Sequence, residues 1–189
     1  MEEEVEFNQS KEIPEITKLL TNKEQIPSYF IDKITDKVYL GDIDGASDFD
    51  YFSKENINNV LSIIDRPPDY SEEDKIKINH KVINIDDYDD ANIIKYFKEC
   101  IEFIEKSNKV FVHCMCGISR SSTIVIAYLM WKAHCSYYDA YFFVKKRRPF
   151  IDPNDGFINQ LKMFEDLLKK NEYDLNKIDF NSISPNNKK

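Results

Sequence analysis

From Ser121 to Trp131 the chain reads SSTIVIAYLMW, eleven residues without a charge and apolar almost all round. A helix with no polar face has to be covered on every side, so the rest of the fold must wrap around this segment. A bilayer crossing takes about 20 residues, roughly twice this length, so a core helix is expected here and not a membrane span.

The neighbouring segments supply the cover. Lys109 to Val112 reads as a short buried strand, NNVLSII as another, and Val38 and Leu40 as a brief alternation ended by Gly41. Ile76, Ile78, Val82, Ile83 and Ile85 give further strand character. FDYFSKENI, the stripe Ile93, Ile94, Phe97, Cys100, Ile101 and Ile104, and segments near 136–147 and 154–170 have helical spacing. Strands alternating with helices predict an α/β fold, a central, mostly parallel twisted sheet flanked by helices. A chain of 189 residues has room for one such domain, placed at 27–172. Residues 1–26 are acidic, with Ile13, Ile16, Leu19 and Leu20 at the spacing of a short amphipathic helix. Residues 173–189 are polar and unpatterned, and a flexible tail is expected there.

Acidic residues number 34 against 26 basic ones, a formal charge of -8, whereas binders of nucleic acid and of membrane surfaces are normally basic; neither partner is expected. The opening MEEEVEF lacks the basic start of a signal peptide, so a cytoplasmic protein is expected, with the nucleus also open. Four cysteines, at 100, 114, 116 and 135, are too few and too uneven for a disulfide scaffold and are read as free thiols, Cys100 and Cys135 as structural ones.

Ligands in parallel sheets bind beyond the carboxyl ends of strands, and there the chain reads His113-Cys114-Met115-Cys116-Gly117-Ile118-Ser119-Arg120-Ser121. A loop between a buried strand and a buried helix is an anion cradle: successive N–H groups converge on one oxyanion, the helix N-terminus adds positive potential, and Gly117 permits close approach or a positive φ. The same field favours the thiolate of a cysteine at the loop's mouth, as nucleophilic attack requires, which singles out Cys114. Arg120 can grip two phosphate oxygens in bidentate fashion. A zinc site built from His113, Cys114, Cys116, His134 and Cys135 lacks any C-x2-C pair, and Cys114 with Cys116 lacks the spacing of a thiol oxidoreductase. A protease dyad with His113 fails on direction, since adjacent strand residues face opposite ways; His113 is expected behind the loop. No metal or other cofactor is expected.

HC-x2-G-x2-R-S, preceded by VFV and followed by a helix containing AYLM, resembles the signature of the cysteine-dependent protein phosphatases, and of their dual-specificity branch in particular. The resemblance runs from about Ile34 to Phe164 through KVYLGDIDGAS, NINNVLSI and KKRRPFIDPNDGFINQL. It implies hydrolysis of phosphotyrosine and of phosphoserine or phosphothreonine in proteins through a cysteinyl phosphate, in a small, atypical member of the branch. A phosphorylated protein, a kinase among the candidates, is the implied partner. Residues Met115 to Arg120 would hold the phosphate. The family's acid lies ten residues before an aromatic that opens a helix; Asp87 stands ten before Phe97, with Asp86 the rival and Asp89 and Asp90 read as solvated charges. Ser121 would hydrogen-bond the departing thiolate. Arg148, six before Asn154, matches a basic residue that some relatives hold near the pocket. It is either part of a second anion site or a solvated helix end, and Asn154 is expected to brace loops. An RNA 5′-phosphatase of the same fold and a phospho-binding module with little catalysis are the alternatives.

Overall fold

The computed structural model describes residues 30–183. Five strands, β1 (Ile31–Lys33), β2 (Val38–Gly41), β3 (Asn59–Ile63), β4 (Asn79–Ile83) and β5 (Val110–His113), form one sheet in the order β1-β2-β5-β3-β4. All neighbours run parallel except β1, which turns back antiparallel on β2. Alternation along β5 explains the two layers. Val110 and Val112 join Leu40, Leu61 and Ile63 in one core, whereas Phe111 joins Tyr39 and Val60 in the other.

The first core is covered by α3 (Phe97–Lys106), α4 (Arg120–Ala133), α5 (Tyr137–Arg147) and α6 (Asp155–Lys170). Helix α4 is the apolar segment, and its residues from Ile124 to Ala127 are wholly buried among the other three helices and the sheet. The second core is closed by α1 (Phe49–Glu55), whose Phe52 lies 5.4 Å from Phe111, and by the loop bearing Tyr70.

Two expectations need correction, and one strand was not foreseen. Ile76 is not in a strand: it lies in α2 (Glu72–Lys77), 87% exposed, and β4 starts only at Asn79. Ser71 caps that helix by accepting from the Asp74 N–H, Glu72, Glu73 and Asp74 fill its first turn, and Lys75 and Lys77 its last; capping and dipole complementarity outweigh the Ile76/Ile78 alternation. Strand β1 carries too little apolar alternation to be read in advance. Residues 173–183 are not a polar tail either, because Leu175, Ile178 and Phe180 are buried in the main core and Trp131 donates to the Tyr173 carbonyl at 3.0 Å. The domain therefore extends to Ile183. The amphipathic helix expected within 1–26 lies outside the described residues.

Candidate active site

The sheet register places Gly41, Ser62 and His113 side by side at one end of the sheet, and the loop from Cys114 to Ser119 begins there. Every carbonyl of that loop is engaged from outside. The Cys114 carbonyl accepts from His113 Nδ1 at 3.1 Å, Met115 from the Ile43 N–H, and Cys116 and Gly117 from Arg148. The Ile118 carbonyl accepts from the Asp152 N–H, and the Ser119 carbonyl from the hydroxyls of Ser122 and Thr123, both at 2.8 Å. In a planar trans peptide the N–H of the next residue points opposite to its carbonyl, so the N–H groups of Met115 through Arg120 are turned inward together. Gly117 has φ +65°, and a Cβ there would collide with the Gly41 carbonyl and the Arg148 guanidinium. The loop is a cradle for a tetrahedral anion, closed by the N-terminus of α4.

Cys114 sits at its base, 2% exposed, and accepts a hydrogen bond from Ser121 Oγ at 3.2 Å. Arg120 is buried; its Nη1 donates to the Ile85 carbonyl at 3.2 Å, which holds the guanidinium across the cradle. Its Nε is buried without a hydrogen bond, although Asp87 Oδ2 stands 3.5 Å away. A buried donor left without an acceptor carries a desolvation cost that a phosphate oxygen would remove.

Asp87 reaches the loop from the connection after β4. Ser119 Oγ donates to its Oδ1 at 2.6 Å and Asn154 Nδ2 to the same oxygen at 2.9 Å. Asn154 also caps α6, accepting from the Phe157 N–H. With Oδ1 occupied by two donors, a proton on this carboxyl belongs on Oδ2, the oxygen that faces Arg120. Asp86 is exposed and makes none of these contacts. The acidic loop packs tightly on α6, since a Cβ at Gly156 would strike the Asp89 backbone.

His113 lies behind the loop, fully buried, with Nε2 2.6 Å from Ser62 Oγ, which in turn is 2.7 Å from His80 Nε2. Burial pushes His113 down to about 4, so the ring is neutral near pH 7. A neutral ring that donates from Nδ1 to the Cys114 carbonyl accepts at Nε2 from the Ser62 hydroxyl, which leaves Ser62 Oγ to accept from His80. Burial likewise pushes the Cys100 thiol far up and Cys135 up to about 12, consistent with inert packing; Cys116 is exposed on the loop.

Arg148 is neither a pocket residue nor a solvated helix end. It is 1% exposed, its Nη1 pairs with Asp32 Oδ2 at 2.8 Å, and its Nε donates to the Gly117 carbonyl at 2.8 Å. Its charge is spent beneath the loop, holding the carbonyls outward. Sequence reasoning missed Asp32, Ser62 and His80, whose partners lie far along the chain.

The catalytic-domain model of the dual specificity phosphatases matches residues 38–167. The chain belongs to the dual-specificity phosphatase family. Among its relatives, MAP kinase phosphatase with leucine-rich repeats protein 1 of Dictyostelium discoideum is 40% identical over 142 residues, covering 74% of this chain and 16% of the relative. Dual specificity protein phosphatase 1 of Arabidopsis thaliana is 36% identical over 132 residues, covering 68% and 65%. The chain thus spans less than a fifth of that Dictyostelium relative's length and just under two thirds of the Arabidopsis one. Among solved structures, DUSP15 superposes with a TM-score of 0.68 at 33% identity, covering 73% of this chain and 88% of that one. The human tyrosine phosphatase-like serine/threonine/tyrosine-interacting protein superposes with a TM-score of 0.70 at 31% identity, covering 75% and 99%.

Proposed function

We propose that this chain hydrolyses phosphotyrosine and phosphoserine or phosphothreonine in protein substrates. The observation that carries the reading is the loop whose carbonyls are all drawn outward around a buried cysteine and an arginine whose buried Nε makes no hydrogen bond. Family membership and relatives named as protein phosphatases support it, and those named for MAP kinases make a phosphorylated kinase one candidate substrate.

The geometry suits a two-step displacement. Cys114 Sγ attacks phosphorus, the inward N–H groups and Arg120 hold the three non-bridging oxygens, and the P–O bond to the side chain breaks as Asp87 gives its proton to the leaving oxygen. Asp87, now a carboxylate, takes a proton from water as that water attacks the cysteinyl phosphate. The S–P bond breaks, and the departing thiolate keeps the Ser121 hydrogen bond.

Replacement of Cys114 tests this reading. Cys114→Ser should leave the fold intact and remove activity toward an aryl phosphate and a phosphotyrosine peptide, because a hydroxyl stays protonated and attacks poorly. Wild-type activity should survive EDTA. Full activity in the serine variant would refute the reading.

A further inference from the structure

The charges around the loop are one-sided. On the β2 side, Ile43 bonds the Met115 carbonyl and is flanked by half-buried Asp42 and exposed Asp44. The Ile118 carbonyl is held by exposed Asp152, and Ser119 by Asp87, which brings exposed Asp86, Asp89 and Asp90 with it. Asp65 lies 3.9 Å from Arg120 Nη1 and is exposed, and Asp155 stands in the first turn of α6 beside Asn154. Four separate segments therefore bring aspartates to the cradle.

Among the described residues, the cations whose contacts lie at the loop are already engaged. Arg120 is turned inward, Arg148 is consumed by Asp32 and the loop, and Lys145 donates to the Ile151 carbonyl at 2.6 Å. Exposed Arg66 lies 3.8 Å from its own neighbour Asp65. Between the aspartates, Met115, Ile118 and Tyr88 are exposed at 43%, 37% and 68% and offer apolar contact.

We infer that the site selects phosphopeptides with basic residues flanking the phosphorylated side chain, through this ring of aspartates around a single, narrow positive centre. The inference rests on the phosphatase reading above. The phosphate itself is held by Arg120 and the inward N–H groups, so the aspartates act on what surrounds it. Lysine or arginine next to the phosphorylated residue meets Asp44 or Asp152, while acidic neighbours or a second phosphate meet like charge. Clefts of one sign also steer approach and raise association rates at low salt.

The test uses the full chain with two phosphotyrosine peptides that differ only in carrying lysine or glutamate around the phosphotyrosine, and an aryl phosphate. At an ionic strength of about 0.01 M the Debye length is about 30 Å, and at about 1 M it is about 3 Å. The basic peptide should exceed the acidic one in kcat/KM at least about tenfold at low salt, and the ratio should fall severalfold at high salt. Asp44→Asn with Asp152→Asn should lower the low-salt ratio about threefold or more, by removing two of the rim charges. The Cys114→Ser protein should show the same order of affinities for the two peptides. A ratio at or below one, a ratio indifferent to salt, or one unmoved by the double variant would overturn the inference while leaving the phosphatase reading intact. Absence of hydrolysis of the aryl phosphate would instead overturn the phosphatase reading, and the binding arm would still decide the charge preference.

Discussion

Arg148 and Asp32, 116 residues apart in sequence, form a 2.8 Å ion pair in which both side chains are almost fully buried. The pair joins the edge strand β1 to the end of α5, and the same guanidinium holds the Gly117 and Cys116 carbonyls. Removing one member of a buried pair leaves an uncompensated charge, at a cost of about 3–5 kcal/mol. Arg148→Ala should therefore unfold at markedly lower urea than wild type. Arg148→Lys retains the charge but cannot reach Asp32 and both carbonyls at once, and it should remain folded with impaired kcat toward an aryl phosphate. A lysine variant with wild-type turnover would show that Arg148 does not organise the loop.

Such a pair cannot be read from the sequence, because nothing local to Arg148 distinguishes it from Lys145, Lys146 and Arg147 beside it. The strand, loop and helix around Cys114 were legible because all their parts are contiguous: a four-residue buried strand, a glycine and an arginine at fixed offsets, and a helix with no polar face. Where burial depends on distant partners the pattern fails. Leu175 and Phe180 open short 3₁₀ turns capped by Asp174 and Asp179, and Ile178 follows the first of them, segments too brief for any periodicity to emerge. Ile76 and Ile78 show the converse, since their alternation imitated a strand while Ser71 and the acidic first turn started a helix.

The placement of Asp87 invites a register test. Asp87→Ala should reduce kcat toward a phosphotyrosine peptide by about 10²–10⁴-fold, with a much smaller loss for a substrate whose leaving group needs no proton. Asp86→Ala should have little effect, because its carboxyl makes none of the contacts that tie Asp87 to the loop. Removing the acid should also flatten the basic limb of the kcat profile against pH and leave the acidic limb in place. A larger loss in Asp86→Ala would shift the assignment by one residue.

Asn154 and Ser119 act through Asp87, and their effect should be separable from folding. Both donate to Oδ1, which leaves Oδ2 to carry the proton. Asn154→Asp keeps a helix-capping acceptor for Phe157 but replaces the amide donor with a carboxylate, and Asn154→Ala removes both. Turnover of the poor leaving group should drop in each, while KM changes little and the good leaving group is nearly spared. Equal losses on both substrates in Asn154→Asp would show that the asparagine does not position the acid.

The buried histidine makes the stability of the fold depend on pH. Burial pushes His113 down to about 4, whereas the unfolded chain restores its ordinary value of about 6.5. Between those two values the unfolded state binds a proton that the native state refuses, so stability must rise with pH across the window and fall as pH drops from about 6.5 toward about 4. A shift of about 2.5 units corresponds to about 3 kcal/mol, and half-buried His80, lowered by the same desolvation, acts in the same direction. Urea unfolding at several values between about pH 7 and 4 should show this loss. In His113→Asn, whose side chain can still donate to the Cys114 carbonyl but cannot titrate, the slope should be shallower than in wild type. An identical slope in both proteins would mean that His113 is not held neutral behind the loop, and the donor directions along His80, Ser62 and His113 would need to be reversed.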